Sequence, residues 1–244
     1  GEELTPGAIK TVYAKSDFRF IHIRIDVEKG GENSDYFILL NTLPGLAGSK
    51  SMPGLDAVIE NGANFLIRLS LASQEGWIYI SKNFNPNYWI YNEKRPGGKY
   101  LAKKERLTAS LDDASPFEEI ITQPNRAHYG RDGSVFYPKF MSRSFLKYGT
   151  ADKSLPGYSD KSAWHFDNKK GILEARIPWG LVYFTNPAGG ITYAGLEKTE
   201  PISIKTKGIS IAAMKVSSAG GKQAISSLPA VKEGKITTED TPLF

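Results

Sequence analysis

The chain has 244 residues, 40% of them hydrophobic, with 31 Lys and Arg against 26 Asp and Glu and a net charge of +5. A charge this small and dispersed lacks the basic stripe of a nucleic-acid binder, and no apolar run approaches the ~20 residues of a membrane-spanning helix. The absence of cysteine excludes disulfides, thiolate zinc sites and cysteine nucleophiles, while 12 Phe, 12 Tyr and 4 Trp supply bulk for a core.

In chain order, the opening GEELTPG lacks the charged-then-apolar pattern of a secretion signal, and with the abrupt end EDTPLF it reads as a piece cut from a longer chain. Residues 17–27 (DFRFIHIRIDV) alternate with period two: Ile21, Ile23, Ile25 and Val27 face one way, His22, Arg24 and Asp26 the other. Residues 36–41 form a near-continuous apolar run, the mark of a strand covered on both faces. Alternation returns in residues 65–71 (FLIRLSL) and 76–82 (GWIYISK), and further strands are expected at 88–91, 172–177 and 208–216. In GILEARIPW, residues 171–179, Leu173, Ala175, Ile177 and Trp179 share the inward face and Glu174 and Arg176 the outward one. Pro178 ends that strand and opens a short helix or turn in WGLVYF.

Turn-rich stretches such as LPGLAGSKSMPG, EKRPGGK and NPAGGI separate these segments. Many short strands between Gly/Pro loops predict an all-β fold, an antiparallel β-sandwich of jelly-roll type with long loop excursions. Residues 97–157 have poor periodicity and are read as excursions over the sandwich, with hairpin strands at 134–140 and 143–148. No linker composition marks a boundary, so residues 1–244 are expected to form a single sandwich domain.

Inward isoleucines leave a polar and aromatic outward set. Sugars present hydroxyls around apolar C–H faces, so a carbohydrate site wants flat aromatic rings flanked by charged hydrogen-bonding groups on rigid strands. Trp77, Tyr79, Trp89 and Tyr91 are the candidate stacking rings, and Arg24, Asp26, Arg68, Glu174 and Arg176 the candidate hydrogen-bonding groups, on one aromatic and charged sheet face. The alternative is a lid, formed by residues 97–157, that turns the same rings into a second core layer. Trp179, on the inward face, is expected to plug the core.

Calcium is the cofactor the loops suggest, although none is required. Asp26, Glu32 and Asp35, with Glu28 and Asn33, make an oxygen-rich cluster around a Gly-Gly pair, and Asp56, Glu60, Asn61 and Asn64 make a second. A haem would want an axial pair such as Met214 with His22, His128 or His165, and the spacing singles out none of them. The chain has no G-x-S-x-G, H-E-x-x-H, P-loop or dinucleotide fingerprint, which points away from an enzyme. Inventory alone leaves open a glycosidase with paired carboxylates or a lyase using Tyr, His and Arg.

Several segments in order carry a resemblance: VYAKSDFRFIHIRIDV, DYFILLNTLPGLAG, GANFLIRLS, and LKYGTADKSLPGYSDKSAWHF running into GILEARIPWGLVYFTNP. Together they resemble the DOMON-like and family-nine carbohydrate-binding-module superfamily of β-sandwiches, in the form carried by bacterial exported or cell-surface proteins. The resemblance spans about residues 9–216 and is sharpest at the strand ending Ile-Pro-Trp. It implies a jelly-roll-like sandwich, a sugar or haem ligand, often a calcium ion, an extracellular location and neighbouring domains of a parent protein. The expectation is a non-catalytic module that binds a polysaccharide or oligosaccharide. The alternatives are a structural or protein-interaction module, a haem-binding redox domain, or a polysaccharide-active enzyme.

Overall fold

A computed structural model describes residues 8–29, 34–43, 48–52, 57–85, 116–122, 124–125, 128–137, 139–197, 200–206, 208–219, 222–230, 232 and 234–242. The first strands are β1 (Ile9–Ser16), β2 (Phe20–Val27), β3 (Asp35–Asn41), β4 (Ser49–Ser51), β5 (Val58–Ala63), β6 (Phe65–Ser70) and β7 (Glu75–Ser81). There follow β8 (Phe117–Glu119), β9 (Ile121–Thr122), β10 (His128–Tyr129), β11 (Val135–Phe136), β12 (Met141–Ser142), β13 (Phe145–Lys147), β14 (Trp164–Asp167) and β15 (Ile172–Pro178). The last are β16 (Phe184–Asn186), β17 (Ile191–Glu197), β18 (Glu200–Lys205), β19 (Gly208–Ala219), β20 (Lys222–Leu228), β21 (Lys235–Ile236) and β22 (Glu239–Pro242).

Two sheets form the sandwich. A four-stranded sheet runs β1-β2-β15-β14, and an eight-stranded sheet runs β13-β7-β6-β3-β19-β20, with β22 added to β19 and β8 to β7. Every pairing within both is antiparallel. The expected inward set of β2, Ile21, Ile23, Ile25 and Val27, is buried, as are Leu173, Ala175 and Ile177 beside it on β15. They belong to one core with Ile38 and Leu40 of β3, Ile67 and Leu69 of β6, and Ile78 and Ile80 of β7. Trp179 plugs the same core from the 3₁₀ turn Trp179–Val182 that follows Pro178, its indole N–H donating to the Asp17 carbonyl at 2.7 Å.

The eight-stranded sheet also carries a second, smaller core on its far side. Leu39, Leu66, Ala212 and Met214 point there and pack with Met52, Ala57, Ile59, Ala63 and Ile236. The cover is a three-stranded sheet, β21-β5-β4, in which β21 pairs with β5 in parallel. β3 therefore has apolar partners on both faces, which is why its sequence reads as a continuous run rather than an alternation.

The expected hairpin of 134–140 with 143–148 is not what forms. β11 pairs with β10, and β13 pairs instead with β7, so the second expected strand is an edge strand of the large sheet. Local alternation cannot distinguish these pairings, because the choice of partner is made by contacts distant in sequence. The expected strand at 88–91 lies outside the described residues.

Candidate functional site

Alternation places two sets of outward side chains on two different surfaces. Arg24, Asp26, Glu174 and Arg176 stand on the outer face of the four-stranded sheet, where Arg24 pairs with Glu174 and His22 with Arg176 across the ladder. Arg68, Trp77 and Tyr79 stand on the far face of the eight-stranded sheet, the face that also carries Leu66 and Met214. The whole sandwich separates the two sets, so the nine expected ligand residues do not share one face. Trp89 and Tyr91 lie outside the described residues.

The four-stranded sheet's outer face is occupied with its own bonding. Arg24 grips Asp26 with both arms of its fork, Nε to Oδ1 at 2.6 Å and a terminal nitrogen to Oδ2 at 3.1 Å, so both carboxylate oxygens are taken. The Arg24 guanidinium also lies 5.6 Å from the Tyr13 ring centre. Arg176 donates to the carbonyls of Ser159, Asp160 and Ser162 and covers the Phe20 ring at 5.1 Å, which makes it a pin for the 159–162 loop.

Beside this face, Asp17 accepts from His22 Nε2 at 2.8 Å and from the backbone N–H groups of Arg19 and Phe20 at 2.7 Å each. Partial burial pushes its carboxyl up, but the His22 bond and the two amides together outweigh that and hold it at about 2. A carboxyl so depressed contributes stability that is complete above its ordinary value of 3.8 and is lost as pH falls through about 2. The side chain is 43% exposed, so the loss should stay below about 1 kcal/mol. Urea midpoints measured between pH 5 and pH 2 are expected to fall less in Asp17→Asn than in the parent chain.

The far face of the eight-stranded sheet divides into a covered half and an open half. One cross-strand row runs Phe145, Trp77, Arg68, Phe37 and ends at buried Met214, each residue directly opposite the next. Four strands at ~4.8 Å spacing make the row from Phe145 to Phe37 roughly 14 Å long. Phe145 is 54% exposed, and Trp77, Tyr79 and Phe37 are half-buried. Trp77 and Phe145 meet edge to face, at 5.6 Å and 74°, a contact that covers the flat side of only one of the two rings.

Arg68 sits at the centre of the row and holds Asp35 from the neighbouring row. Nε and one terminal nitrogen both donate to the same oxygen, Oδ2, at 3.0 and 2.7 Å. Among the described residues nothing bonds the other carboxylate oxygen or the second terminal nitrogen of Arg68. The pair thus leaves one acceptor and one donor side by side, which the closed Arg24–Asp26 fork does not. Partial burial pushes the Tyr79 phenol up, against the pull of the Arg68 charge, so it stays a neutral hydroxyl at physiological pH.

Of the lid foreseen in residues 97–157, positions 97–115 lie outside the described residues, and Phe117 of β8 joins the covered half's core. Among the described residues the rest of that cover comes from β4, β5 and β21, while β9 to β12 pair with one another apart from the large sheet. Phe37 and Phe145 were not among the expected site residues. Phe37 is hidden within a continuous apolar run, and Phe145 reaches the face only because β13 pairs with β7.

The expected calcium set is not brought together. Asp26 and Asp35 stand on opposite outer faces, each bound by an arginine, and Glu32 lies outside the described residues. In the second cluster the Asn64 side-chain oxygen accepts from the Thr42 and Leu43 N–H groups, and Glu60 accepts from the Thr237 hydroxyl. Among the described residues no group of three or more His, Asp or Glu is arranged to hold a metal ion. Met214 lies buried in the second core, and His22 and His165 stand on the far side of the sandwich from it. His128 stacks on Phe136 in the β10–β11 pair, and neither residue belongs to the core around Met214. The chain matches no family model, no curated protein and no solved structure.

Proposed function

We propose that this chain is a non-catalytic carbohydrate-binding module, of DOMON-like or family-nine type, belonging to an exported or cell-surface bacterial protein. It grips a polysaccharide or oligosaccharide on the open half of the eight-stranded sheet's far face. Trp77, with Phe145 and Phe37 beside it, offers the apolar C–H faces of sugar rings a platform, and Tyr79 adds a hydroxyl. Arg68 and Asp35 supply a donor and an acceptor to neighbouring hydroxyls, the paired recognition that sugars favour.

The observation that carries the reading is the half-satisfied Arg68–Asp35 pair set between the half-buried rings of Trp77 and Phe37, with exposed Phe145 at the end of the row, on rigid strands. A site on strands loses little conformational freedom on binding, so modest contacts translate into affinity. Arg24, Asp26, Glu174 and Arg176 take no part in it.

A glycan array followed by calorimetry tests the proposal. Trp77→Ala is expected to weaken the best hit about tenfold or more, through the lost stacking area. Arg68→Ala should weaken it comparably, and Arg24→Ala should leave it unchanged. Unchanged affinity in both Trp77→Ala and Arg68→Ala discards this face.

A further inference from the structure

The chain leaves the edge of the eight-stranded sheet after buried Ile120 and returns at buried Ser144. The base is clamped by three bonds: Arg143 N–H to the Ile120 carbonyl, Ile120 N–H to the Ser144 hydroxyl, and Ile78 N–H to the Ser144 carbonyl, each 2.8 Å. Between these points the two sides pair as β9 with β12 and β10 with β11, joined by a turn in which the Gly130 N–H donates to the Ser134 carbonyl. Ten residues from Ile120 to Gly130, at about 3.3 Å each, allow a reach of at most about 33 Å. This is an arm, and among its described residues from Ile121 to Ser142 none joins either core.

Its surface is unusual for a solvated ribbon. Tyr129 is 78% exposed, Tyr137 75% and Phe136 50%, and Phe140 is exposed with them. The aliphatic side chains of Ile121, Val135 and Met141 are exposed as well. Pairing puts Phe136 with His128 on one face, their rings stacked at 4.6 Å, and Tyr129 with Val135 on the other. Both faces of the ribbon are therefore apolar. Two strands alone cannot bury such side chains, and exposed apolar surface of this kind marks a contact site.

Charge selects the partner. Residues 121–143 hold Arg126, Arg131, Lys139 and Arg143 against the single acid Asp132. Asp132 is tied to the Ser134 N–H and hydroxyl at 3.0 and 2.7 Å. Among the described residues Arg131, Lys139 and Arg143 form no ion pair. A second copy would bring a like-charged arm. A sugar has no use for Ile121, Val135 and Met141, which offer no ring to stack on, and a folded protein would cover one face and leave the other wet. A medium that surrounds the ribbon and carries negative charge at its edge satisfies all of this.

We infer that the 121–142 arm is a docking element for an anionic lipid surface. The charged turn Arg131–Asp132 rules out tip-first entry into hydrocarbon, so the ribbon lies along the headgroup–acyl boundary. There Tyr and Phe take the interfacial positions that aromatic rings favour, and the cations meet the headgroups.

Co-sedimentation with vesicles of phosphatidylcholine alone, and of phosphatidylcholine mixed with phosphatidylglycerol, tests it. The chain is expected to sediment with the mixed vesicles and not with the neutral ones. The double variant R131Q/K139Q should bind roughly 25-fold more weakly, about fivefold for each cation removed, and F136S/Y137S should lose at least as much. All four side chains are exposed, so circular dichroism and melting temperature should match the parent chain. Trp77→Ala should leave vesicle binding intact, and F136S/Y137S should leave glycan affinity intact, which separates the arm from the sheet-face site. Absence of sedimentation, equal binding to both vesicle types, or parent-like binding by F136S/Y137S overturns the inference. A concentration-dependent dimer that F136S/Y137S abolishes overturns it too, and assigns the arm to a second copy.

Discussion

Trp164→Ala is expected to destabilise the fold by about 3–5 kcal/mol and to lower the melting temperature by roughly 10 °C. The indole is 2% exposed and belongs to β14, the edge of the four-stranded sheet, yet its N–H donates to the Leu146 carbonyl on β13, in the other sheet, at 3.0 Å. The Tyr148 ring meets it edge-on at 4.8 Å, and the Gly149 N–H donates to the Trp164 carbonyl at 2.9 Å. One side chain thus closes the end of the sandwich where the two sheets come together. Truncation leaves a cavity and removes the indole's bond between the two sheets at the same point. Trp164→Phe, which keeps most of the volume and loses only the donor, should cost about 1–2 kcal/mol.

The seat of that indole explains Gly76. A β-carbon there would fall against the Trp164 ring nitrogen and 2.9 Å from the Leu146 carbonyl oxygen, and neither neighbour is a flexible tip that can move aside. The consequence reaches the candidate site. Leu146 is flanked by Phe145 and Lys147, and Phe145 is the end of the aromatic row. Faster amide exchange along β13 in Trp164→Ala, beyond that of β6, would show that the tryptophan holds the edge strand as well as the core.

Period-two alternation made the sandwich readable in the sequence. Ile21 to Val27 and Leu173 to Ile177 are strict alternations because each strand has one dry face, and the continuous run of β3 reported its two dry faces equally well. Trp179 followed from the same periodicity. What alternation conveys is the side of a strand, and it carries no information about which sheet the strand joins. Arg24 and Arg68 are both outward, and in sequence they look alike, but one ends on the four-stranded sheet and the other on the eight-stranded sheet. Merging them into a single face was the natural error of a local signal applied to a long-range question. The arm was illegible for a related reason. Val135 and Phe136 pair with partners six and eight residues away across a glycine turn, in runs of two residues, too short for any period to register.

The open Arg68–Asp35 pair differs from the closed Arg24–Asp26 fork by geometry alone, since composition is the same. Arg24 and Asp26 sit two apart on one strand, so the fork meets both oxygens. Arg68 and Asp35 come from adjacent strands and neighbouring rows, and the diagonal approach lets the guanidinium reach only one. Site character here is a property of strand register.

Asn64→Ala is expected to cost about 2–3 kcal/mol and to leave glycan and vesicle binding at saturation unchanged. Asn64 is fully buried at the junction of β5 and β6, and its side-chain oxygen accepts the Thr42 N–H at 2.7 Å, the Thr42 hydroxyl at 3.2 Å and the Leu43 N–H at 3.3 Å. Two of those donors are backbone amides, which fixes the orientation of the carboxamide and rules the oxygen out as a cation ligand. Leu43 N–H has a second acceptor in Asn41 at 2.8 Å, whereas the Thr42 N–H would be left orphaned in a dry interior. The Asn64 N–H₂ group finds no acceptor among the described residues, a cost already borne by the parent chain that truncation relieves, and this keeps the expected loss below that of Trp164. Chemical denaturation resolves the difference. A loss under about 0.5 kcal/mol would mean that water reaches the Thr42 amide and that the turn after β3 is wetter than its burial implies.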